Sequence, residues 1–389
     1  MAKAKNNMEK EKKFVWGQYF TKKQIVDKLI ELLLEYKPYS KKTKVLEPSS
    51  GTGNFVIGLK EKGFNNISEC EIDPLLTENP CDFFLFPIEK KFDLIIGNPP
   101  FTKYNLKNSY YYPKDYESSR LKSSNYLTSL LEKKSKTQIE NAFILKSMKH
   151  LNRNGSIAFV LPISFFIAKK NKEVKRKIID NFSTIIIYQN DKTWFDEPIP
   201  CCFAILKGYG QNIPALQDNY KDKVILLYED GGKVEEILDK KQLLTDELIP
   251  KSFLYKKNNH KEGKPLSEFL SDNKIKHQRD YTKNNVSGAN ILQKTKIPRD
   301  KNVEEYLLGV TRVGNASVGK TGLINIKEDV LNDMFFVFAF KDEYNKNKEL
   351  KEKICSLINQ NQEHIKNLTI RVGSKSIKKR DILDLKIKV

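Results

Sequence analysis

From about residue 17 to residue 210 the apolar positions switch repeatedly between a helical spacing and short continuous runs. "TKKQIVDKLIELLLEY" (21–36) places Ile25, Leu29, Leu32 and Leu33 on one helical face, and Thr21 with Gln24 predicts a capping box in which Thr21 is the N-cap. "TKVLEPSSGTGNFVIGLKEKG" (43–63) then reads as a strand, a glycine-containing loop and a short helix ending near Gly63. The runs "ISECEID", "FDLIIGN", "SIAFVLP", "TIIIYQN" and "CCFAILKG" predict further strands, with helices over roughly 138–152 and 169–181. This alternation predicts an α/β, doubly wound, mainly parallel sheet.

Two stretches break the rhythm. Residues 102–136 are polar and rich in Tyr, Lys and Ser, too long for a simple connection in a compact domain, which predicts a functional segment or one ordered only on binding. After Gly210 the pattern fades into "GYGQNIPALQDNYKD", a linker by composition. A second, mixed α+β domain of about 170 residues is expected beyond it.

Charge changes the picture next. The chain of 389 residues carries a formal net charge of +20, of which +12 falls within residues 251–389. No stretch is a pure polybasic run, so the excess is spread over a folded surface; nucleic acid, an anionic membrane and acidic partners all fit it, as in part does a composition rich in Lys, Asn and Ile, and nucleic acid is the favoured reading. No segment approaches the roughly 20 continuous apolar residues of a membrane span. The polar start "MAKAKNNMEKEKKF" lacks the apolar core of a signal peptide. The five cysteines (70, 81, 201, 202 and 355) show no metal-ligand spacing, so no metal is expected, and Cys201–Cys202 read as reduced core residues. An intracellular, cytoplasmic protein without membrane association follows as the expectation.

The candidate chemistry lies at strand ends. "LEPSSGTGNF" puts Glu47, Ser49, Gly51 and Gly53 between a strand and a helix, where glycines permit close backbone approach. Glu71 closes the next strand, and Asp82 with Phe83 follows in "PCDFF". A carboxylate after the second strand suits ribose hydroxyls, and Asp82 suits an exocyclic amine with Phe83 as an aromatic surface. Together the acids outline a nucleoside-cofactor pocket; the absence of a Walker pattern weighs against a nucleoside triphosphatase. Next comes "GNPPF" (97–101), where two prolines fix two φ angles and remove two donors. Asn98 and the Pro99 carbonyl form a rigid pair of acceptors suited to a planar amino group, with Pro100 stiffening the corner and Phe101 supplying a stacking face.

In the order "GQYFT", "EPSSGTGNF", "CEID", "CDFF", "DLIIGNPPF", the chain resembles the amino-methyltransferases that use S-adenosylmethionine. The order is similar to that of the gamma-class, TaqI-type N6-adenine DNA methyltransferases. The resemblance implies a Rossmann-like methyltransferase fold and a cofactor-binding catalytic domain over 1–212. It further implies that Thr21, Glu47 and Ser49 hold the methionine end of the cofactor, Glu71 the ribose, and Asp82 and Phe83 the adenine, with Gly51 of the glycine loop also among the cofactor-binding residues. Asn98 and Pro99 would accept from the target amine and Phe101 would stack on the base. "DKTWFDEPIPCCFAIL" is similar to a later motif of the family, which points to Phe195, with Trp194 as the alternative, for the opposite face of the base. Lys22 stands where the family usually has Pro, and Ser49–Ser50 where it has small residues or Cys.

Residues 222–389 would then form a DNA target-recognition domain. Its close, "NLTIRVGSKSIKKRDILDLKIKV", is similar to the recognition domains of restriction-modification specificity proteins through Ser376, Ile377, Lys379, Asp381, Ile382, Leu385 and Ile387. "GVTRVGNASVGKTGL" (309–323) is expected to be a loop or hairpin near DNA. Lys103, Tyr104, Arg312, Lys320 and Arg371 are the candidate nucleic-acid contacts. The expected activity is sequence-specific methylation of the N6 amine of a flipped-out adenine in double-stranded DNA, by a monomer serving a restriction-modification system with a cognate endonuclease. RNA adenine methylation, protein-glutamine methylation and a non-enzymatic DNA-binding module remain the alternatives.

Overall fold

The computed structural model describes residues 17–101, 103–104, 137–167, 171–210, 220–245, 247–258, 262–271, 286–372 and 374–389. The chain divides into two units, Met1–Pro250 and Lys251–Val389. The long polar segment from 105 to 136 lies outside the described residues.

The first unit is built on an eight-stranded sheet. Its strands are β1 (Val45–Glu47), β2 (Ile67–Glu69), β3 (Phe92–Gly97), β4 (Leu151–Pro162), β5 (Phe182–Asn190), β6 (Cys201–Tyr209), β7 (Lys223–Glu229) and β8 (Lys233–Asp239). They lie in the order β8-β7-β5-β6-β4-β3-β1-β2. Neighbours β2, β1, β3 and β4 pair in parallel, as do β5 and β7. Strand β6 runs against both β4 and β5, and β8 folds back on β7. The sheet is thus mostly parallel, and its central strands are buried runs such as Ile185–Tyr188 and Phe203–Ile205, the pattern of strands covered on both faces.

Helix α1 (Lys23–Tyr36) buries Ile25, Val26, Leu29, Ile30, Leu32 and Leu33, close to the predicted stripe. Its N-cap is Lys22 and no side chain caps it, so the predicted Thr21–Gln24 box does not form. Other bonds fix the helix entry: the Lys22 amide donates to the Trp194 carbonyl at 3.0 Å, and Asn54 Nδ2 donates to the Thr21 carbonyl at 2.8 Å. Helices α2 (Asn54–Glu61), α3 (Ile139–His150) and α4 (Lys172–Asn181) fall within the predicted spans. No helix among the described residues is long and apolar enough to cross a membrane.

The boundary between units differs from the expected 212/222. Strands β7 and β8 belong to the first sheet because Val224, Ile225, Leu226 and Leu227 are fully buried in it beside β5. The linker-like composition after Gly210 marks a connection within the sheet, not a domain border.

The second unit is mixed α+β, as expected. Its antiparallel sheet has β9 (Tyr306–Thr311) between β10 (Thr321–Asn325) and β11 (Phe335–Phe338). Helices α5 (Lys348–Gln360) and α6 (Gln362–Leu368) contribute Ile354, Cys355, Ile358 and Ile365 to a core shared with Leu308, Val310 and Phe338. Ile377, Ile382, Leu385 and Ile387 join the same core, so the apolar residues of the closing motif serve packing.

Candidate active site

Parallel strands β1 and β3 lie side by side; Glu47 closes β1 with Ser49 and Gly51 after it, Glu71 and Asp82 come after β2, and Asn98–Phe101 follow β3, at the carboxyl ends where open α/β sheets bind ligands. After β1, Gly51 and Gly53 adopt φ of 54° and 77°, left-handed values that only glycine takes without strain. This bend turns the Gly51 amide onto Glu71 Oε2 at 2.6 Å, while the Asp73 amide donates to Glu71 Oε1 at 2.8 Å. Burial raises the Glu71 carboxyl above its usual range, against the pull of these two amides. Gln18 Nε2 donates to Asp73 Oδ2 at 3.2 Å, tying the GQYF segment to the same loop.

Glu47 is wholly buried. Its Oε1 accepts from the Ser49 amide at 3.2 Å, whereas Oε2 has no partner among the described residues. Burial holds this carboxyl well above the ordinary carboxylate range. A Cβ on Gly97 would lie 2.0 to 2.6 Å from its carboxylate atoms, so the glycine before the corner is required for the acid to sit there. Thr21 is also buried, with Oγ1 unpartnered. Two buried polar atoms without partners among the described residues, beside the glycine loop, are what a bound cationic or hydroxyl-bearing ligand would satisfy.

Asn98 carries the sharpest geometry. Its Nδ2 donates to the Tyr19 carbonyl at 2.5 Å, which settles the orientation of the amide. Its Oδ1 is buried and has no partner among the described residues. The Asn98 carbonyl accepts from Ser49 Oγ at 3.2 Å, linking the glycine loop to the corner. The Phe101 amide donates to the Gly17 carbonyl at 3.2 Å. Phe101 is half-buried and stacks on Tyr19, with centroids 6.1 Å apart and planes 30° from parallel.

Several sequence expectations look different once placed. Phe195 is fully buried; its ring meets Phe101 edge-on at 5.9 Å and Tyr19 at 6.2 Å, so it braces the aromatic pair and presents no free face. Trp194 is buried against Tyr188 and donates to Asn190 Oδ1 at 2.6 Å. Phe83 is only 2% exposed and packs against Phe143 and His150 at 5.1 and 5.7 Å. Asp82 is buried and accepts from the Phe84 amide at 2.8 Å. Tyr19, Gly17 and Gly97 were not singled out in the sequence; Gly17 and Tyr19 lie in the quoted GQYFT motif, and Gly97 opens the GNPPF stretch.

Lys103 and Tyr104 pair with Gln138 and Thr137, bringing together the two ends of the segment between them. Their side chains, and that of Arg371, lie outside the described residues. The 309–323 stretch is a hairpin in which β9 meets β10. Arg312 lies over the Phe336 ring at 5.8 Å and donates to the Asp333 carbonyl at 2.6 Å, and Lys320 sits partly exposed at the turn.

A mostly parallel sheet with an Asn-Pro-Pro-Phe corner at one strand end, beside a glycine loop and acids, defines a methyltransferase-type α/β protein. Residues 66–291 match the N-6 DNA Methylase family model, and the chain belongs to that family. It is similar to the Type II methyltransferase M.HincII of Haemophilus influenzae, with 30% identity over 198 residues, covering 48% of this chain and 36% of that protein. It is likewise similar to the Type II methyltransferase M.AccI of Acinetobacter calcoaceticus, with 26% identity over 255 residues, covering 60% of this chain and 43% of that protein. The chain therefore spans less than half the length of these relatives. In fold it is similar to the type IIG restriction endonuclease BpuSI, with a TM-score of 0.50 at 13% identity over 95% of this chain and 58% of that one.

Proposed function

We propose that the chain methylates the N6 amine of adenine in double-stranded DNA, with S-adenosylmethionine as the donor. The observation that carries this reading is Asn98: its amide nitrogen donates to the Tyr19 carbonyl, which fixes a buried Oδ1 with no partner among the described residues, and the next residue in the chain, Pro99, would add its carbonyl as the second acceptor. Two rigid acceptors side by side take both N–H groups of a planar amine and favour its tetrahedral, nucleophilic form, with no cost of reorienting dipoles during reaction. Phe101, held flat by Tyr19 and supported by Phe195, stacks on the base. An adenine inside a duplex cannot reach such a corner, so the base is flipped out.

The pocket residues fit the donor. Thr21, Glu47, Ser49 and Gly51 surround its methionine end, where Glu47 Oε2 meets its ammonium and Thr21 Oγ1 its carboxylate, neither atom having a partner among the described residues. Glu71 takes the ribose hydroxyls, and Asp82 with the edge of Phe83 takes the adenine. Bound there, the donor supplies an electrophilic methyl group on a sulfonium. The chain's own part is to exclude water, fix the two acceptors and orient the amine for in-line attack.

In the second unit, residues 251–389, Arg312, Lys320 and Arg371 supply phosphate and base contacts; in the first unit Lys103 and Tyr104 do the same. The motif order supports the gamma class, and the Type II relatives support a restriction-modification role with a cognate endonuclease. Methyl transfer from labelled donor should be measured to unmethylated duplex DNA, RNA and a glutamine-bearing protein in parallel. N6-methyladenine in DNA is expected; label in RNA or protein alone would overturn the reading.

A further inference from the structure

Two cysteines border the acids of the cofactor pocket. Cys70 lies between β2 and Glu71, and Cys81 directly precedes Asp82. Their sulfurs are 3.2 Å apart and share a hydrogen bond. The backbone clamps both ends of the intervening loop: the Cys81 amide donates to the Glu71 carbonyl at 2.7 Å, and the Cys70 amide to the Glu47 carbonyl at 2.8 Å. The Ser50 amide in turn donates to the Cys70 carbonyl at 2.8 Å, so the glycine loop hangs on the same residue. Between the clamps the loop is largely open to solvent, with Leu75 73% exposed.

The two thiols are not equivalent. Cys70 is buried, whereas Cys81 is partly exposed and the other three cysteines are buried. The hydrogen bond shared with Cys70 pulls the Cys81 thiol down to about 7, with Lys90 adding to the effect. The same bond, together with burial, pushes Cys70 up. Cys81 is therefore the reachable thiolate and Cys70 the resolving thiol already in contact with it.

We propose that Cys70 and Cys81 form a reversible redox modification site, in which a disulfide between them displaces Glu71 and Asp82 and weakens cofactor binding. The oxidant is hydrogen peroxide. The Cys81 thiolate attacks one peroxide oxygen, the O–O bond breaks, and the released hydroxide takes up a proton, leaving a sulfenic acid. The Cys70 sulfur then attacks the Cys81 sulfur, the S–O bond breaks, and water leaves with the Cys70 proton. Two thiols lose two electrons and the peroxide becomes two waters. A disulfide needs its sulfurs at about 2.0 Å, so closure brings the two sulfurs, 3.2 Å apart, together by roughly an ångström. That movement falls on residues directly bonded to Glu71 and Asp82, and it is small enough for a reductant to reverse without unfolding. The pocket assignment rests on the proposed function; the formation of the bond does not.

The test uses the full chain treated with hydrogen peroxide, then with dithiothreitol. Non-reducing peptide mapping should find Cys70 linked to Cys81. Equilibrium dialysis should show affinity for S-adenosylmethionine falling about tenfold, equivalent to about 1.4 kcal/mol, and recovering on reduction. Cys81→Ser should bind the donor normally and be indifferent to peroxide, while Cys355→Ser should respond like the parent protein. No Cys70–Cys81 peptide after peroxide, or a linked protein with unchanged or higher affinity, would overturn the proposal. Reduced protein that fails to bind the donor counts against the functional reading instead, and the peptide map still decides the cysteine pair.

Discussion

The carbonyl of Gly17 accepts the Phe101 amide at 3.2 Å, and a Cβ at Gly17 would stand 2.8 Å from the Phe101 backbone. Gly17 also sits at φ 61°, where a side chain is strained. The segment preceding α1 thus seats the corner by backbone contact, and the chain has no room for a larger residue there. Gly17→Ala should destabilise the protein by about 1–3 kcal/mol through strain and displacement. Because the displaced atoms belong to the corner, transfer should fall by a larger factor than donor affinity. Thermal melts with donor binding and initial rates on the same preparation separate the two, and an unchanged rate would show that the contact is dispensable.

Asn98→Ala removes the fixed acceptor and frees the Tyr19 carbonyl. Losing one preorganised hydrogen-bonding group of this kind costs about 10²–10³-fold in rate. Donor affinity should hardly change, since no described contact of the Asn98 side chain involves Glu47, Glu71 or Asp82. Single-turnover rates alongside dialysis are the check; parallel loss of both quantities would make the corner a structural turn. Asn98→Asp places a carboxylate in the same buried spot next to the Tyr19 carbonyl, and should be worse folded than the Ala variant.

How much of this could be read from the sequence depends on the range of the interaction. Strands such as Ile185–Tyr188 and helix α1 were legible because their apolar spacing is local. The corner was legible because two prolines after an asparagine are locally rigid. Strands β7 and β8 were missed as part of the sheet: membership is decided by pairing with β5, which no local pattern encodes, while the preceding residues have a linker's composition. The burial of Phe195 was not legible either. It depends on Tyr19 and Phe101, which come from chain segments far away in sequence, and the same holds for the cap at Lys22, set by Trp194. The proximity of Cys70 and Cys81 likewise needs the fold, since nothing in their spacing states that the loop between them closes on itself.

The aromatic cluster offers a way to separate support from contact. Phe195 is fully buried and Phe101 half-buried. Phe195→Ala should leave a cavity and cost about 3–5 kcal/mol of stability. Phe101→Ala should cost less stability, yet weaken binding of a flipped base by about 1–3 kcal/mol, the usual worth of stacking. Chemical denaturation and fluorescence of duplexes carrying 2-aminopurine at the target position measure the two quantities. If Phe195→Leu, which keeps most of the volume, lost base stacking as severely as Phe101→Ala, Phe195 would be a direct contact after all.

Glu47 gives a prediction with a definite sign in pH. Burial raises its carboxyl well above the ordinary range in the folded protein, while the unfolded chain titrates near pH 4. Between those two values the folded state binds more protons than the unfolded one, so this group lowers stability as pH rises. Below both values it contributes no penalty. Glu47→Gln removes the buried charge, and should raise the melting temperature of the donor-free protein most at the alkaline end of the range. The gain should shrink as pH falls through the raised pKa and vanish once the parent carboxyl is protonated in both states. Donor affinity should move the other way, falling in the variant because an ammonium loses its carboxylate. Calorimetric melts across pH with and without S-adenosylmethionine test both halves. A variant less stable than the parent at high pH would show that Glu47 is held as a charge by interactions stronger than its burial.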